Sequence, residues 1–179
     1  MIDSDKIKEI VIYFKNNYHG KTINIETSGN NTINIPLHIN HLPHLLGLHK
    51  LYRMSAKNII DQVIKGKITY KIIKSHDDFG LIKDRIKFFP VLDEIIKNDE
   101  VEQYIIVSEY DNRNRMKLDI VFQMNKYHRY LILGVRKKEG SFYLTTFFVS
   151  RKEQYLHSKR HQITKIYITE SLGQKDLRI

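Results

Sequence analysis

A chain of 179 residues with 41% hydrophobic content is long enough to bury one well-formed core and demands no second domain. It contains no cysteine, which excludes disulfides, thiol nucleophiles and thiolate metal sites together and fits a reducing cytoplasm. Its 30 lysines and arginines against 20 acids leave a formal charge of +10, which points to a polyanionic partner through steering and counterion release rather than through the fold.

The chain starts with acids, Asp3 and Asp5, where a signal peptide would carry basic residues, and no apolar run approaches a membrane span. We therefore expect a cytoplasmic protein with no membrane partner. Ser4 can cap a first helix that runs to about Tyr18, with Ile7, Ile10, Val11 and Phe14 at helical spacing and Gly20 just past its end. Thr22 to Glu26 and Thr32 to Pro36 alternate isoleucine with polar residues across Ser28-Gly29-Asn30-Asn31, the pattern of a short hairpin. A histidine-rich stretch from Asn40 to Lys50 follows. Asn40 is placed as a helix N-cap and Pro43 in the first turn, with Leu42, Leu45 and Leu46 turned inward.

Ser55 begins another helix, Lys57 to Lys65, which Gly66 ends, and Ile68 to Ile73 reads as a buried segment. Asp77 to Ile96 is expected to be helical with an interruption at Pro90, and Leu81, Ile82, Ile86, Leu92, Ile95 and Ile96 form its apolar stripe. Strands are then expected at Gln103 to Glu109, Arg115 to Met124, Arg129 to Arg136, Phe142 to Val149 and Ile163 to Thr169. Asp111-Asn112-Arg113-Asn114 and Lys138-Glu139-Gly140 supply turns, so consecutive strands should pair antiparallel.

Helices early and strands late predict an α+β domain: N-terminal helices and a short hairpin packed on one face of a mainly antiparallel C-terminal sheet. Met116, Leu118, Ile120, Phe122 and Met124 alternate with Lys117, Asp119, Val121 and Gln123, which leaves the other sheet face to solvent or ligand. One domain is expected over residues 1–172, with a loosely ordered tail over 173–179.

The run His44-Leu45-Leu46-Gly47-Leu48, preceded by Thr32-Ile33-Asn34-Ile35-Pro36 and followed by Lys50, resembles the N-terminal signature of a nuclease group. These are the phage-associated Barnase/EndoU/colicin E5-D/RelE-like domains, their fourth group in particular. The stretch from Phe142 to Ser150, followed by Tyr155, is similar to the late strand of those domains and the polar residues that trail it. Between the two windows only the order of elements is similar. The resemblance implies a metal-independent endoribonuclease without cofactor, a toxin or a phage or mobile-element effector, with RNA as partner and a cognate inhibitor protein as another. It singles out His44 for proton transfer and Ser150 and Tyr155 as polar positions beside the substrate.

Cleaving RNA without a metal needs a base for the ribose 2'-hydroxyl, an acid for the departing 5'-oxygen, and cations for the charged phosphorane. Imidazoles gathered beside a lysine suit that chemistry, and whether His44 is acid or base stays open. Lys50 and Arg136 are candidates for charge stabilisation. Thr145 and Thr146 are adjacent in a strand, so one should face the helices and the other the open sheet, where its hydroxyl can bond phosphate. Tyr155 can position phosphate or stack on a base.

Between Lys126 and Lys165 a dense basic stretch is opposed only by Glu139 and Glu153. Arg129, Lys137, Lys138, Arg151, Lys152, Lys159 and Arg160, together with His41, are candidates for RNA binding, the alternative being a solvated basic edge that blocks strand pairing. His38, His41 and His44 fall three apart, which invites a zinc reading, but no HExxH pattern or carboxylate completes a set, and no metal is expected. His49, His128, His157 and His161 read as surface residues. Phosphate-cradling loops of the GxxxxGK[ST] or GxGxxG type are absent, which argues against a kinase or dehydrogenase. Two further readings remain: a basic nucleic-acid-binding module that does not cleave, and a regulator that grips an acidic protein. Convergence of His44 with Lys50, Arg136 or a Thr145/Thr146 hydroxyl would favour catalysis.

Overall fold

Helix α1 (Lys6–Asn17) buries Ile7, Ile10, Val11 and Phe14, the stripe its spacing predicts, and the chain reverses at Gly20, whose φ is +79°. These features come from a computed structural model that describes residues 6–29, 31–97, 103–107 and 114–170, so the expected cap at Ser4 and the tail from 173 lie outside the described residues. The hairpin follows as β1 (Lys21–Thr27) and β2 (Thr32–Leu37). Ile23 pairs with Ile35 and Ile25 with Ile33, all four turned into the core.

The entry to the histidine-rich helix differs from expectation. Asn40 is not the cap: a 3-10 turn, Ile39–His41, comes first, and α2 (Leu42–Leu46) follows with Pro43 in its opening turn. The imidazoles do the capping. Nδ1 of His38 accepts from the Asn40 amide at 3.1 Å and Nδ1 of His41 from the His38 amide at 3.3 Å, a reciprocal arrangement that satisfies two donors otherwise left without partners. Leu42, Leu45 and Leu46 are buried as expected.

Ser55 caps α3 (Ala56–Ile64), its hydroxyl accepting from the Asn58 amide at 3.2 Å. The segment Ile68 to Ile73 is only partly buried. Thr69 caps the short helix α4 (Tyr70–Lys74), which buries Ile73 and leaves Ile72 47% exposed. Asp77 to Ile96 breaks more often than Pro90 alone demands: a 3-10 turn Asp77–Leu81, α5 (Lys83–Phe88), a second 3-10 turn Phe89–Val91, then α6 (Leu92–Lys97). The tighter 3-10 winding takes Leu81 off the stripe to the surface, while Ile82, Ile86, Leu92, Ile95 and Ile96 are buried. Helix α6 is tied to α1 by Asp93, which accepts from the hydroxyls of Tyr13 and Tyr18 and pairs with Lys97 at 3.3 Å. Among the described residues no helix is long and apolar enough to cross a membrane.

The later strands are β3 (Gln103–Ile106), β4 (Ile120–Lys126), β5 (Arg129–Lys138), β6 (Ser141–Ser150) and β7 (Lys159–Glu170), and the sheet order is β2-β1-β7-β3-β4-β5-β6. Every neighbouring pair is antiparallel. Strand β1 pairs with β2, and β3 to β6 pair in sequence, whereas β7 returns to the middle of the sheet, its first residues on β3 and the rest on β1. That strand joins the N-terminal hairpin to the C-terminal strands, and the edges β2 and β6 approach each other, curling the sheet around the core. The molecule is thus an α+β fold with helices on a mainly antiparallel sheet.

The opposite face is not open. Ile105, Val107, Leu118, Val121, Ile132 and Tyr155 form a second, smaller core there. The expected strand from Arg115 starts only at Ile120, because the Asn114 side chain bonds both backbone groups of Leu118, at 2.7 and 2.8 Å, and closes a loop over the sheet. Val121 is buried beneath it, and Gln123 bonds Glu153 at 3.2 Å rather than facing solvent.

Candidate active site

The helices leave one edge strand, β6, in contact with α2 and α5. At this junction Nη1 of Arg85 donates to the His44 carbonyl and to the Thr146 hydroxyl, both at 3.2 Å. Arg85 is 7% exposed, and among the described residues no carboxylate pairs with it. Burial pulls its pKa from 12.5 to about 10, still charged at neutral pH. A buried guanidinium without a counter-ion is electrostatically unbalanced, and an anion is the group that would offset its charge.

Thr146 reaches this position through a bulge. Gly134 pairs with Thr146 and Val135 with Leu144, so Thr145 is the extra residue and the strand's alternation breaks. Of the two threonines, Thr146 is buried against Arg85, while the Thr145 hydroxyl donates to the Tyr143 carbonyl at 3.4 Å.

Above Arg85 stand exposed imidazoles and a lysine. Gly47 ends α2 at φ +79° and turns the chain so that His49 returns over the helix, its ring centroid 4.7 Å from that of His44. Nδ1 of His49 lies 3.4 Å from the Pro43 carbonyl. A carbonyl only accepts, so Nδ1 carries the proton and Nε2 of the neutral ring presents its lone pair. Burial lowers the pKa of His49 and His44 alike. In His49 the bond to Pro43 opposes the shift, and the charges of His44, Arg85 and Lys50 add to it. Burial, followed by the charge of Arg85, also lowers Lys50.

Gly47 has a packing reason as well as a conformational one. A Cβ there would stand 2.7 Å from Ile82 Cγ2 and 3.0 Å from Arg85 Cδ, in a backbone conformation that alanine resists. Gly47→Ala should therefore destabilise the fold by about 2 kcal/mol or more and displace Arg85, read as a lower denaturation midpoint and weakened anion binding.

The other expected site residues are dispersed. Nε of Arg136 donates to the Met116 carbonyl at 2.9 Å, which fastens the loop over the second core and keeps Arg136 out of the cluster. Tyr155 is 2% exposed within that core, so it cannot reach a base. The Ser150 hydroxyl bonds the Lys152 carbonyl at 2.6 Å and accepts from Gln154 at 2.9 Å, shaping the turn after β6. Arg160 pairs with Glu153, and Lys137 and Lys138 lie at the far end of β5 from Arg129, roughly 30 Å along the strand. Lys152 and Lys159 are exposed, while Arg129 and Arg151 line a common cleft. A separate polar cleft of about 470 Å³, walled by residues such as Asn24, Asn34 and Ser141, brings no imidazole with it.

His41 is a structural group. Burial, with His38 and His44 nearby, pulls its pKa from 6.5 to about 4, so near neutrality it holds its Nδ1 acceptor rather than a charge for RNA. His19 Nδ1 accepts from the Ile39 amide at 3.4 Å in the same turn, and its pKa is lowered by burial, then by His38 and Lys15. The unfolded chain protonates such groups near 6.5, before the folded chain does, so stability is intact above that pH and drains away as pH falls toward about 4. A melting series across this window should show the loss, and His41→Asn, an acceptor that does not titrate, should reduce it. No group of three or more His, Asp or Glu among the described residues is placed to hold a metal ion, so His38, His41 and His44 do not form the set their spacing suggested.

Arg85 and His49 are absent from the expected site. Arg85 had a signal: Ile82, Arg85, Ile86 and Phe89 fall on one helical face, which places the arginine inside an apolar stripe. His49 had only Gly47, since five residues of continuous helix would not bring it over His44.

Paired imidazoles and a lysine stand above a buried guanidinium, an arrangement whose charge suits an anionic group and whose rings can exchange protons. The chain belongs to the phage-Barnase-EndoU-ColicinE5/D-RelE like nuclease4 family, whose model matches residues 6–175, and it is therefore a nuclease-family domain. No curated protein and no solved structure matches it.

Proposed function

We propose that the chain is an endoribonuclease that cleaves RNA by attack of the ribose 2'-hydroxyl, without a metal, as an effector or toxin of a phage or mobile element. The observation that carries this reading is the buried Arg85, without a carboxylate partner among the described residues, beneath His44, His49 and Lys50. Arg85 and Lys50 take the phosphate, and the Thr146 hydroxyl keeps the guanidinium aimed. His49, with Nδ1 held by the Pro43 carbonyl, offers Nε2 as the base that removes the 2'-proton. His44 protonates the departing 5'-oxygen. The phosphate's own charge makes that assignment workable, because it offsets the repulsion that lowers both imidazoles and restores the proton on one of them. All three tasks are filled by side chains of this chain.

Total RNA incubated with the full chain in EDTA tests the reading. Cleavage should survive chelation and leave 2',3'-cyclic phosphate ends, and activity should fall steeply with salt as counterion release loses its force. Magnesium-dependent cleavage that leaves 3'-hydroxyl ends would overturn the mechanism.

A further inference from the structure

Tyr127 and His128 form the two-residue turn between β4 and β5, closed by the pair Lys126 and Arg129, with φ of +54° and +55°. Turns of this hand favour Asn-Gly, because both residues must enter the left-handed region. The next hairpin complies at its second position, where Gly140 stands at φ +85° after Glu139 at +52°. The first does not: a tyrosine stands at a strained position and is 65% exposed, so burial gives it little in return. Such an outlier invites a reading in terms of function.

The Tyr127 ring is one wall of a cleft of about 560 Å³ lined also by Lys83, Lys87, Phe88, Arg129 and Arg151, with Asp84 as the carboxylate among its lining residues. Phe88 backs the ring at 6.2 Å between centroids, tilted by 36°, which leaves no room for a base between the two. The Lys126 ammonium lies over the ring 5.6 Å from its centroid, so a stacked base takes the ring surface that remains exposed. Helix α5 carries Arg85 toward the imidazoles and presents Lys83 and Lys87 to this cleft. Strand β6 likewise carries Thr146 at the catalytic cluster and is followed by Arg151 in the cleft, roughly 17 Å along an extended chain. That is a span of a few nucleotide steps.

The geometry points to a second subsite for RNA: a groove for an unpaired nucleotide flanking the cleaved bond, its base stacked on Tyr127 and its phosphates met by Lys83, Lys87, Arg129 and Arg151. The inference rests on the ribonuclease reading above. Charge alone would also suit a duplex or an acidic protein. The exposed ring separates them, because a base offers its face to an aromatic side chain only when it is out of the helix.

The test uses the full chain and a short RNA whose 2'-hydroxyls are all methylated, so that it binds but cannot be cleaved, as a single strand and as a duplex. The single strand should bind more tightly than the duplex. Tyr127→Asn should weaken single-strand binding about tenfold, leave duplex binding alone and leave the melting temperature equal or higher, since asparagine suits the turn. Tyr127→Phe should bind like the parent. Arg151→Ala should lower the salt slope by about 0.7, which Tyr127→Asn should not do.

Equal affinity for both forms, or parental binding in folded Tyr127→Asn, overturns the subsite. Weakened binding in Tyr127→Asn when neither protein cuts unmodified RNA upholds the subsite and removes the nuclease reading. Cleavage of unpaired RNA with an unchanged KM in Tyr127→Asn does the reverse.

Discussion

Replacing Arg85 with methionine is expected to lower RNA cleavage by about 100- to 1000-fold, the scale seen when a charge-stabilising donor is removed, while the fold stays about as stable as the parent. The two readouts move apart for a physical reason. Arg85 is a buried cation with no carboxylate partner among the described residues, and methionine fills similar space without the desolvation cost. Against that gain stand two lost bonds. The His44 carbonyl still accepts from the Gly47 amide at 3.2 Å, so it is not left bare, and a net change within about 1 kcal/mol follows. Arg85→Lys keeps the charge but gives up the further guanidinium N–H groups beyond Nη1 that a phosphate would use, so it should recover only part of the activity. The decisive comparison is kcat/KM beside a denaturation midpoint. If Arg85 only braces α2 against β6, both variants lose stability and activity in proportion.

The local part of this fold was legible because it is written at short range. Ile7, Ile10, Val11 and Phe14 announce their helix, the isoleucines of β1 and β2 their hairpin, and Gly140 its turn. The turn at Tyr127 and His128 was legible from the strands on either side of it, but its left-handed backbone was not, since a tyrosine does not announce positive φ. The placement of β7 was hidden for a different reason. Its pairing with β1 joins residues more than a hundred positions apart, and nothing in Lys159 to Glu170 names that partner.

Of the residues expected at the site, His44, Lys50 and Thr146 gather around Arg85, and the choice of Thr146 over Thr145 needed the bulge in β6. Tyr155 and Arg136 were expected there too, and the fold uses them otherwise: one fills the second core, the other fastens a loop. The basic stretch between Lys126 and Lys165 shows why sequence density is a poor map of a surface. Antiparallel strands send its members to opposite ends of the sheet, while Arg129 and Arg151 line one cleft with lysines from α5 that lie far away in sequence.

The remaining large effect concerns the imidazole pair. His44→Ala should lower cleavage by about 100-fold or more, with RNA affinity and thermal stability nearly unchanged. The side chain is exposed, and its ring contact is with His49, so its loss opens no cavity and should cost no more than about 0.5 kcal/mol. His49→Ala should be at least as damaging to catalysis and should differ in its pH profile. A base works only when unprotonated, and the lowered pKa of His49 keeps it so below the usual imidazole value of 6.5. The acidic limb of kcat/KM should accordingly lie under pH 6.5 in the parent and vanish in His49→Ala, while His44→Ala loses the basic limb, where the acid must still hold its proton. His128→Ala, in the exposed turn, should alter neither limb. Full activity in a folded His44→Ala protein would take the acid out of the mechanism, and an unchanged acidic limb in His49→Ala would take out the base.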